Sequence, residues 1–363
     1  MRIRRKHQVL FLLLICLFFL FGCTRTRIID KISIVHVFGF DQAENGDLIG
    51  TALIPSYTDS KDSDQIQSLK EQAPTGVLFV PKMSAHTSTP IEVAKIRVLV
   101  FGKEYAESGI QDMVERFIIT PQLGTNIQIA VTTHSAEETL SVFKKEKSLT
   151  LADRIEHNME GQSLPKMNLH VFLNNFYGEG MDAYVPMLTI DGRNLVGIDG
   201  LGIFKDDKLK LHLKPEDTIY FSLIEDHRSQ ATLKIDLNDS DRREVITVRA
   251  FRSKSNWDWD REKKRVNLKL KLEMTLTQNP ERFKLENPED LAKIKKIIVE
   301  KINEGINNLL ETFKENEVDP LGIGNIVRSK DKTWEKDAFY ELYPTLPINV
   351  NVDLQIIHSG LES

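Results

Sequence analysis

The pattern of apolar and polar positions divides the chain into segments of different kinds. An uninterrupted apolar run extends from Val9 to Phe21, near the first residue. After it, short β-branched runs alternate with segments that carry apolar residues three or four positions apart, as far as residue 190. Period-two and continuous apolar runs predict strands, whereas spacings of three and four predict amphipathic helices. Their alternation predicts an α/β domain over residues 23–190.

The individual elements of this domain follow from local signals. Gly46 marks a turn between the first two strands, and Ser135 with Glu138 has the spacing of a helix capping box. Residues 55–76 are polar and acidic with Pro and Gly among them, so we expect a long surface loop there. The predicted strands are 31–40, 48–54, 96–101 and 127–133, and the predicted helices are 104–118, the segment after Ser135, and 151–159.

Residues 191–237 change character and predict a small β-rich middle domain. Short apolar runs in this segment are separated by Asp-Gly and Asp-Asp pairs, which are typical of turns. We therefore expect a separate small unit between two larger domains.

The clearest periodicity lies in residues 238–363. Apolar residues alternate with polar ones over 266–276, which predicts a strand with one solvated face, and 244–252 is its expected hairpin partner, joined through 256–260. Asn287 and Pro288 are typical of a helix start, and an apolar stripe continues from there to Phe313. With a last alternating strand at 348–356, we expect a β-β-helix-β domain, an antiparallel sheet packed on one long helix.

Taken together, the pattern predicts a three-domain protein of α/β and α+β class, with mixed sheets and helices. Hydrophobic residues make up 41% and charged residues 28% of the 363-residue chain, which is typical of a folded globular protein. The chain has 48 basic and 53 acidic residues. Since it has no basic excess to neutralise phosphates, we exclude a dedicated nucleic-acid-binding protein.

The first 22 residues predict a secretory signal peptide. A basic segment precedes the apolar run, which at 13 residues is shorter than the roughly 20 that a membrane-spanning helix needs. Gly22-Cys23 then resembles the end of a bacterial lipobox, although Phe21 departs from its usual small or β-branched residue. We therefore expect cleavage between Gly22 and Cys23 and a covalent lipid on Cys23, with acyl chains such as palmitate. The alternatives are an uncleaved short anchor and an ordinary signal peptide.

Candidate chemistry is sparse in the rest of the chain. Cys16 and Cys23 are the two cysteines, so a disulfide framework and a thiolate zinc site are excluded. The histidines lack zinc-ligand spacing, and no nucleophile elbow or phosphate-binding loop occurs. Gly200-Leu201-Gly202 and Gly322-Ile323-Gly324 lack the third glycine of a dinucleotide fingerprint. We expect no catalytic residue, no metal site and no cofactor besides the lipid.

One acidic and aromatic segment allows more than one interpretation. Asp258, Asp260 and Glu262 alternate as calcium ligands can, but the glycine and terminal Glu of an EF-hand are absent, so we expect a solvated hairpin tip. Trp257 and Trp259 should point to one face of the chain. They either pack on a neighbouring sheet or form part of a partner surface.

Several segments together resemble the Ger(x)C family, the C-subunit lipoproteins of nutrient germinant receptors in spore-forming Firmicutes. No single motif is decisive, but their order and spacing extend over nearly the whole chain after Cys23. Many members carry an aromatic-Asp-x-x-Glu cluster after the lipidated Cys, which this sequence lacks. The matching segments are Ile32–Asp41 (ISIVHVFGFD), Val98–Ile110 (VLVFGKEYAESGI), Gly180–Leu188 (GMDAYVPML), Gly200–Lys205 (GLGIFK), Asp319–Gly324 (DPLGIG), Trp334, Val350–Ile356 and Gly360.

The resemblance implies a non-catalytic protein anchored by its lipid to the outer face of the spore inner membrane. It would act in receptor assembly or germination signalling beside membrane-embedded A and B subunits, to which nutrient binding is generally attributed. A substrate-binding lipoprotein of a membrane importer is the alternative. Such proteins have two α/β lobes around a cleft, and the antiparallel unit expected after residue 238 argues against it.

Overall fold

A computed structural model describes residues 32–56, 65–120, 123–124, 126–146, 150–161, 164–225, 230–239 and 242–357. Within these ranges, no helix combines the length and the apolar character that crossing a membrane requires.

The larger of the two main sheets contains eight strands among the described residues. Beside it, β1 (Ser33–Ile34) pairs in parallel with β5 (Ile91–Glu92). The strands of the large sheet are β2 (Val37–Gln42), β3 (Leu48–Ser56), β4 (Gln65–Ala73), β6 (Val98–Phe101), β7 (Gln128–Thr132), β8 (Tyr184–Ile190), β9 (Val196–Lys205) and β10 (Lys208–Leu213). Their spatial order is β10-β9-β8-β7-β6-β2-β3-β4.

The four central strands β2, β6, β7 and β8 run parallel, and helices cover both faces. Such strands are buried on both sides, and every residue of β6 and β7 is buried here. Gly50 packs against the Phe79 ring on one face, and Gly39 packs against Leu140 on the other. The helices are α1 (Phe79–Ser84), α2 (Lys103–Ser108), α3 (Gln111–Ile119), α4 (Ala136–Lys145), α5 (Leu151–Gly161) and α6 (Leu169–Phe176).

Two local predictions for this half were wrong. The expected loop at 55–76 contains β4, which pairs with β3 over nine residues, and its sequence is polar because it is an edge strand. The expected helix at 104–118 is two helices, α2 and α3, which separate at Gly109, where a φ of +126° ends the first helix. The helix start predicted at Ser135 was correct, since Ser135 Oγ accepts the Glu138 N–H at 3.0 Å.

The strands of the middle segment do not form a sheet of their own, contrary to the expectation of a separate unit. β9 and β10 extend the large sheet, with β9 antiparallel to β8 and β10 antiparallel to β9. α7 (Pro215–Glu225) then packs against β9 and against elements of the C-terminal half. The short apolar runs lie in strands as expected, but Asp199 and Gly200 lie inside β9 and not at a turn. β9 pairs with β8, which precedes the segment.

The second sheet packs on one long helix and consists of β11 (Thr232–Asp239), β12 (Arg242–Asp260), β13 (Arg265–Gln278) and β14 (Ile348–Ile357), in that spatial order. The long helix, α8 (Pro288–Glu315), begins at the predicted cap, where the Asn287 side chain accepts the Glu289 N–H at 2.9 Å. Its apolar stripe belongs to the core, with Ile298, Ile302 and Phe313 fully buried. Two shorter helices follow it, α9 (Ile323–Lys330) and α10 (Lys336–Leu342).

Two details of this half differ from the prediction. β12 continues to Asp260, so residues 256–260 are strand, and the turn lies at residues 261–264. β14 pairs with β13 in parallel, whereas β11, β12 and β13 are antiparallel, so the sheet is mixed. A parallel neighbour requires a crossover connection, and the segment with α8, α9 and α10 provides it.

Candidate functional site: the junction between the two sheets

Two motifs that lie far apart in the sequence meet just before β8. The Asp182 N–H donates to the Asp319 carbonyl at 2.9 Å, and the Asp319 N–H donates to Asp182 Oδ2 at 2.6 Å. The Asn325 N–H donates to the Gly180 carbonyl at 2.7 Å. A Cβ on Gly180 would lie 2.5 Å from the Asn325 nitrogen, so only glycine permits this approach.

The residues that carry charge or polarity at this contact are Asp182, Asp319, Lys205 and Tyr340, and we call them the junction cluster. Lys205 is the last residue of β9, and Tyr340 belongs to α10. The residues of the cluster therefore come from the large sheet and the segment just before β8, from the segment between α8 and α9, and from α10.

Asp319 is fully buried and holds the first turn of α9. Its Oδ1 accepts the Ile323 N–H at 2.9 Å, and its Oδ2 accepts the Gly324 N–H at 2.7 Å. These donors have no partner within the helix, because they belong to its first turn. Burial raises the pKa of Asp319 to about 7, although the two backbone donors oppose the shift. Nearby Asp182 raises this pKa further, and Lys205 lowers it.

Lys205 is the cation of the junction cluster. Its Nζ lies 3.1 Å from Asp182 Oδ2 and 3.7 Å from the centre of the Tyr340 ring. The ammonium therefore combines an ion pair with a cation–π contact. Burial raises the pKa of Asp182, and the charge of Lys205 opposes that shift. The arrangement places two buried carboxylates around one ammonium, which contacts Asp182 directly.

Aromatic side chains close the cluster on the side of α10. Burial raises the pKa of Tyr340 far above its ordinary value, and Asp182 and Asp319 add to the shift. The Tyr343 hydroxyl donates to the carbonyl of Val318, the residue before Asp319, at 2.9 Å. Both carboxylates are buried, so little water reaches them.

The helix α9 connects this cluster to the second sheet. At its far end, Lys330 Nζ donates to Asp258 Oδ1 at 2.8 Å and to the Trp257 carbonyl at 3.1 Å. On its exposed side, Arg328 pairs with Glu179 at 2.7 Å. α9 thus contacts both the residues that precede β8 and the end of β12. The helix therefore connects the two sheets.

The acidic and aromatic residues near the end of β12 have partners within the protein. Asp258 pairs with Lys330, and Asp260 lies 3.5 Å from Arg265, so both carboxylates have basic partners. Trp257 and Trp259 are partly buried and pack against the core. Throughout the part of the chain that the structure describes, no group of three or more potential metal ligands occurs.

Apart from the junction cluster, a polar cleft of about 400 Å³ lies at the carboxyl ends of β2, β6 and β7. Ligands of open α/β sheets bind at this edge. Here, however, the Asp41 carboxylate accepts the Ala136 and Glu137 N–H groups at 2.7 and 2.9 Å and so caps α4. Burial raises the pKa of Asp41, and these donors oppose the shift. Both oxygens of the Asp41 carboxylate in this cleft therefore already accept hydrogen bonds from the first turn of α4.

The predicted lipidation site lies outside the described residues. Gly22 and Cys23 belong to the segment 1–31, so the cleavage and the lipid stay predictions. The junction cluster was not predicted from the sequence. Asp182 and Asp319 each stood in a motif, but nothing in the linear pattern indicated that the two motifs touch.

The chain is similar to known proteins along nearly its whole length. Residues 25–190 match the family model "Spore germination protein N-terminal domain", and residues 199–360 match "Spore germination B3/ GerAC like, C-terminal". The chain is 28% identical to spore germination protein GerQC of Bacillus cereus, over 98% of this chain and 99% of the relative. It is 33% identical to spore germination protein KC of Bacillus subtilis (strain 168), over 22% of this chain and 21% of the relative.

The fold resembles that of a solved structure. The crystal structure of the GerBC protein matches with a TM-score of 0.55 and 14% sequence identity. The match covers 88% of this chain and 96% of that one. Asp182 lies in the first of the two family segments and Asp319 in the second, so the junction cluster joins the two segments.

Proposed function

The chain belongs to the Ger(x)C family of spore germination proteins, and on that basis we propose that it is the lipid-anchored C subunit of a nutrient germinant receptor. The matches to both family segments, in order and over most of the chain, carry this proposal. In the proposed role the protein assembles with membrane-embedded A and B subunits and takes part in germination signalling. Its place would be the outer face of the spore inner membrane.

The proposed anchor is the lipid on Cys23. Each buried CH₂ of an acyl chain contributes about 0.8 kcal/mol to membrane attachment, so two or three chains hold a protein durably. The described fold begins at Ile32, close to Cys23 in the sequence. An extended segment of roughly nine residues spans at most about 30 Å. The large sheet would therefore stay near the membrane and near the other subunits.

The junction cluster supports a structural role in this function. It joins the two family segments through buried hydrogen bonds and an ion pair, and α9 extends the connection to the second sheet. A protein whose two sheets are rigidly connected can transmit a movement from one surface to another without catalysing a reaction. We therefore propose assembly and signal transmission, with no chemical step by this subunit.

The importer hypothesis has less support. It requires two α/β lobes around a cleft, whereas the C-terminal half has a four-stranded sheet packed on one long helix. The two halves also meet through the buried junction cluster, where an importer would need an open hinge.

The test compares the two cysteines in spores that lack other nutrient receptors. We expect Cys23→Ala to abolish or strongly delay nutrient-triggered dipicolinate release, because the unanchored subunit leaves the membrane plane and its effective concentration near its partners falls. Cys16→Ala is the matched control, since Cys16 lies within the expected signal peptide.

A panel of amino acids, nucleosides and sugars identifies the stimulus in the same assay. If Cys23→Ala spores responded to every nutrient as the parent does, the anchored-subunit proposal would be wrong. Immunoblots of the membrane and soluble fractions of the spores measure how much of each variant protein is made and how much stays attached to the membrane.

A further inference from the structure

The open edges of the two main sheets differ in how they are protected. Among the described residues these edges are β4, β10, β11 and β14. Monomeric proteins protect edge strands with Lys, Pro, bulges or coverings, since an unprotected edge pairs with other chains. Lys70 lies on β4, Lys208 on β10 and Lys234 on β11. β14, with the sequence INVNVDLQII, has neither Lys nor Arg nor Pro over its ten residues, and Asp353 is its one charged residue.

The backbone of β14 presents a regular row of polar groups to an incoming strand. In a parallel pair, alternate residues direct their N–H and C=O groups to the neighbouring strand. The Pro347 carbonyl accepts the Val266 N–H at 3.0 Å, so the odd-numbered residues of β14 face β13. The even-numbered residues, from Ile348 to Ile356, therefore direct their backbone groups to the open edge.

The side chains of β14 leave apolar surface that a further strand would cover. Ile348, Val350, Val352 and Ile356 pack on the core but are only partly buried. The side chains of Asn349, Asn351, Asp353 and Gln355, on the opposite face, are exposed. The strand thus has an apolar face towards α8 and a polar face towards water.

The sequence of β14 is complementary to itself in one antiparallel register. With a two-fold axis at Val352, all partners on the helix side are apolar. On the other face, amides meet an amide or a carboxylate, and no like charges meet. The pairs are Val352 with Val352, Val350 with Leu354, Ile348 with Ile356, Asn351 with Asp353, and Asn349 with Gln355.

The neighbouring antiparallel registers of β14 with itself give less favourable side-chain pairs. A slip by one residue places apolar side chains opposite polar ones and turns one copy over. An axis at Asp353 would put two carboxylates directly opposite each other, which is destabilising. An axis at Asn351 would bring Pro347, outside the strand, opposite Gln355. The alternation of the strand therefore selects the axis at Val352.

We propose that β14 pairs with β14 of a second copy of this chain, antiparallel and centred on Val352. The two four-stranded sheets then form one continuous sheet, with both copies of α8 on the same side. The contact is isologous, because each copy uses the same surface. It does not depend on the lipid or on the germination role, so its failure leaves the proposed function standing.

Disulfide mapping on the full-length chain in membranes tests the register. The two copies of residue 352 form a hydrogen-bonded pair, whose Cα atoms lie about 5.5 Å apart, within the range that disulfides bridge. Val352→Cys should therefore form a cross-linked dimer under mild oxidation. Val350→Cys is the matched control, since the two copies of residue 350 lie four strand positions apart, about 14 Å, and should not cross-link.

The parent chain, which has only Cys16 and Cys23, gives the background of the cross-linking assay. Equal cross-linking at positions 350 and 352, none at 352 above the background, or a product of position 352 with a different protein would each overturn the proposal.

A charge pair on the exposed face gives a second, independent test. Asn351 lies opposite Asp353 in the proposed register, so Asn351→Asp creates two repulsive pairs and Asn351→Lys creates two attractive ones. From the range measured for cross-strand pairs, the dimer dissociation constant should rise about 2- to 30-fold with Asp and fall by a similar factor with Lys. Sedimentation equilibrium of the full chain in detergent measures both.

The matched control for the charge pair lies on the opposite edge. Thr232 is exposed on β11, and Thr232→Asp and Thr232→Lys should leave the dissociation constant unchanged. A monomer at all concentrations would contradict the proposal. So would a change of the same sign for both Asn351 variants, because only the pairing with Asp353 separates them.

Discussion

Gly102 is the residue that lets the Asp41 carboxylate cap α4. Asp41 belongs to β2, and Gly102 follows β6. A Cβ at position 102 would lie far inside van der Waals contact with Asp41 Oδ1. The same carboxylate accepts two N–H groups from the start of α4. Glycine at 102 therefore preserves the cap as well as the packing.

We predict that Gly102→Ala destabilises the protein by about 1–3 kcal/mol, the usual cost of overpacking a well-packed site. The Asp41 carboxylate would have to move away and would lose at least one backbone donor. Gly192→Ala is the control, because a Cβ there meets nothing within 4 Å. Urea denaturation of both variants measures the difference, and equal midpoints would refute the steric argument.

Among the individual elements, α9 depends most clearly on contacts at both of its ends. It is eight residues long, and isolated helices of that length are marginal in water. Its first turn is held by the buried Asp319, and its last residue, Lys330, is held by Asp258. The position of α9 therefore depends on a carboxyl group that burial makes a weaker acid.

We predict that the stability of the protein contains a contribution from Asp319 that falls as the pH rises from about 4 to about 7. The pKa of Asp319 is about 7 in the folded protein and has an ordinary value of 3.8. The folded state therefore binds the proton more tightly than the unfolded state, and the contribution is fully lost once the pH exceeds the folded pKa. Asp319→Asn should reduce the downward slope of stability between pH 5 and pH 7.

Urea midpoints at pH 5, 6, 7 and 8 measure that slope for the parent and the variant. The control is Asp337→Asn, which changes an exposed carboxylate on the neighbouring helix α10 and should keep the slope of the parent. Since Asp41, Asp182 and Glu225 also have raised pKa values, only the difference between variant and parent is informative. An unchanged slope in Asp319→Asn would show that Asp319 does not titrate in this range.

Across the molecule as a whole, the junction cluster contains residues of both family matches, and with α9 it connects the two main sheets. The connection contains a backbone hydrogen bond and a backbone-to-carboxylate hydrogen bond between Asp182 and Asp319. It also contains the ion pair of Lys205 and the close approach of Gly180 to Asn325. The buried apolar residues of both halves also form one continuous cluster. Contacts of this kind should make the two halves unfold together.

We predict one cooperative thermal transition for the parent and one, at a lower temperature, for Lys205→Met. Removing the ammonium leaves Asp182 buried without its cation, which we expect to cost about 3 kcal/mol. Lys301→Met is the control, because Lys301 forms an exposed ion pair with Glu304, and such pairs contribute about 1 kcal/mol or less. Differential scanning calorimetry measures the number of transitions and their temperatures.

The double variant Lys205→Met/Asp182→Asn should recover part of the loss, since no unpaired carboxylate remains buried beside the substituted lysine. Two separate transitions in the parent would show that the halves unfold independently. A transition of Lys205→Met at the temperature of the parent would show that the ion pair does not stabilise the junction.

Much of the fold could be predicted because its signals are local. The alternation over 266–276, the cap at Asn287 and the capping box at Ser135 each produce the expected element. The misses share a cause, which is that the partner of an element is not part of its own pattern. β4 has a polar sequence and is a strand because β3 pairs with it, and β14 is parallel because a long crossover precedes it.

The candidate site shows the same limit. Asp182 and Asp319 were both visible in motifs, yet their roles depend on a contact between residues 137 positions apart. The high pKa of Asp319 arises from burial, which depends on how α9, α10 and the residues before β8 pack around it.

The order of residues along the chain was enough to predict most local elements and to expect an anchor at Cys23, because each of these has its signal within one segment. It was also enough to predict the family, because the order and spacing of several motifs can be read directly from the sequence. The folded chain was needed to show that β9 and β10 belong to the first sheet, that Trp257 and Trp259 pack inward, and that Asp319 is buried. These features depend on long-range packing, since backbone pairing and burial are properties of two segments together and neither segment encodes them alone.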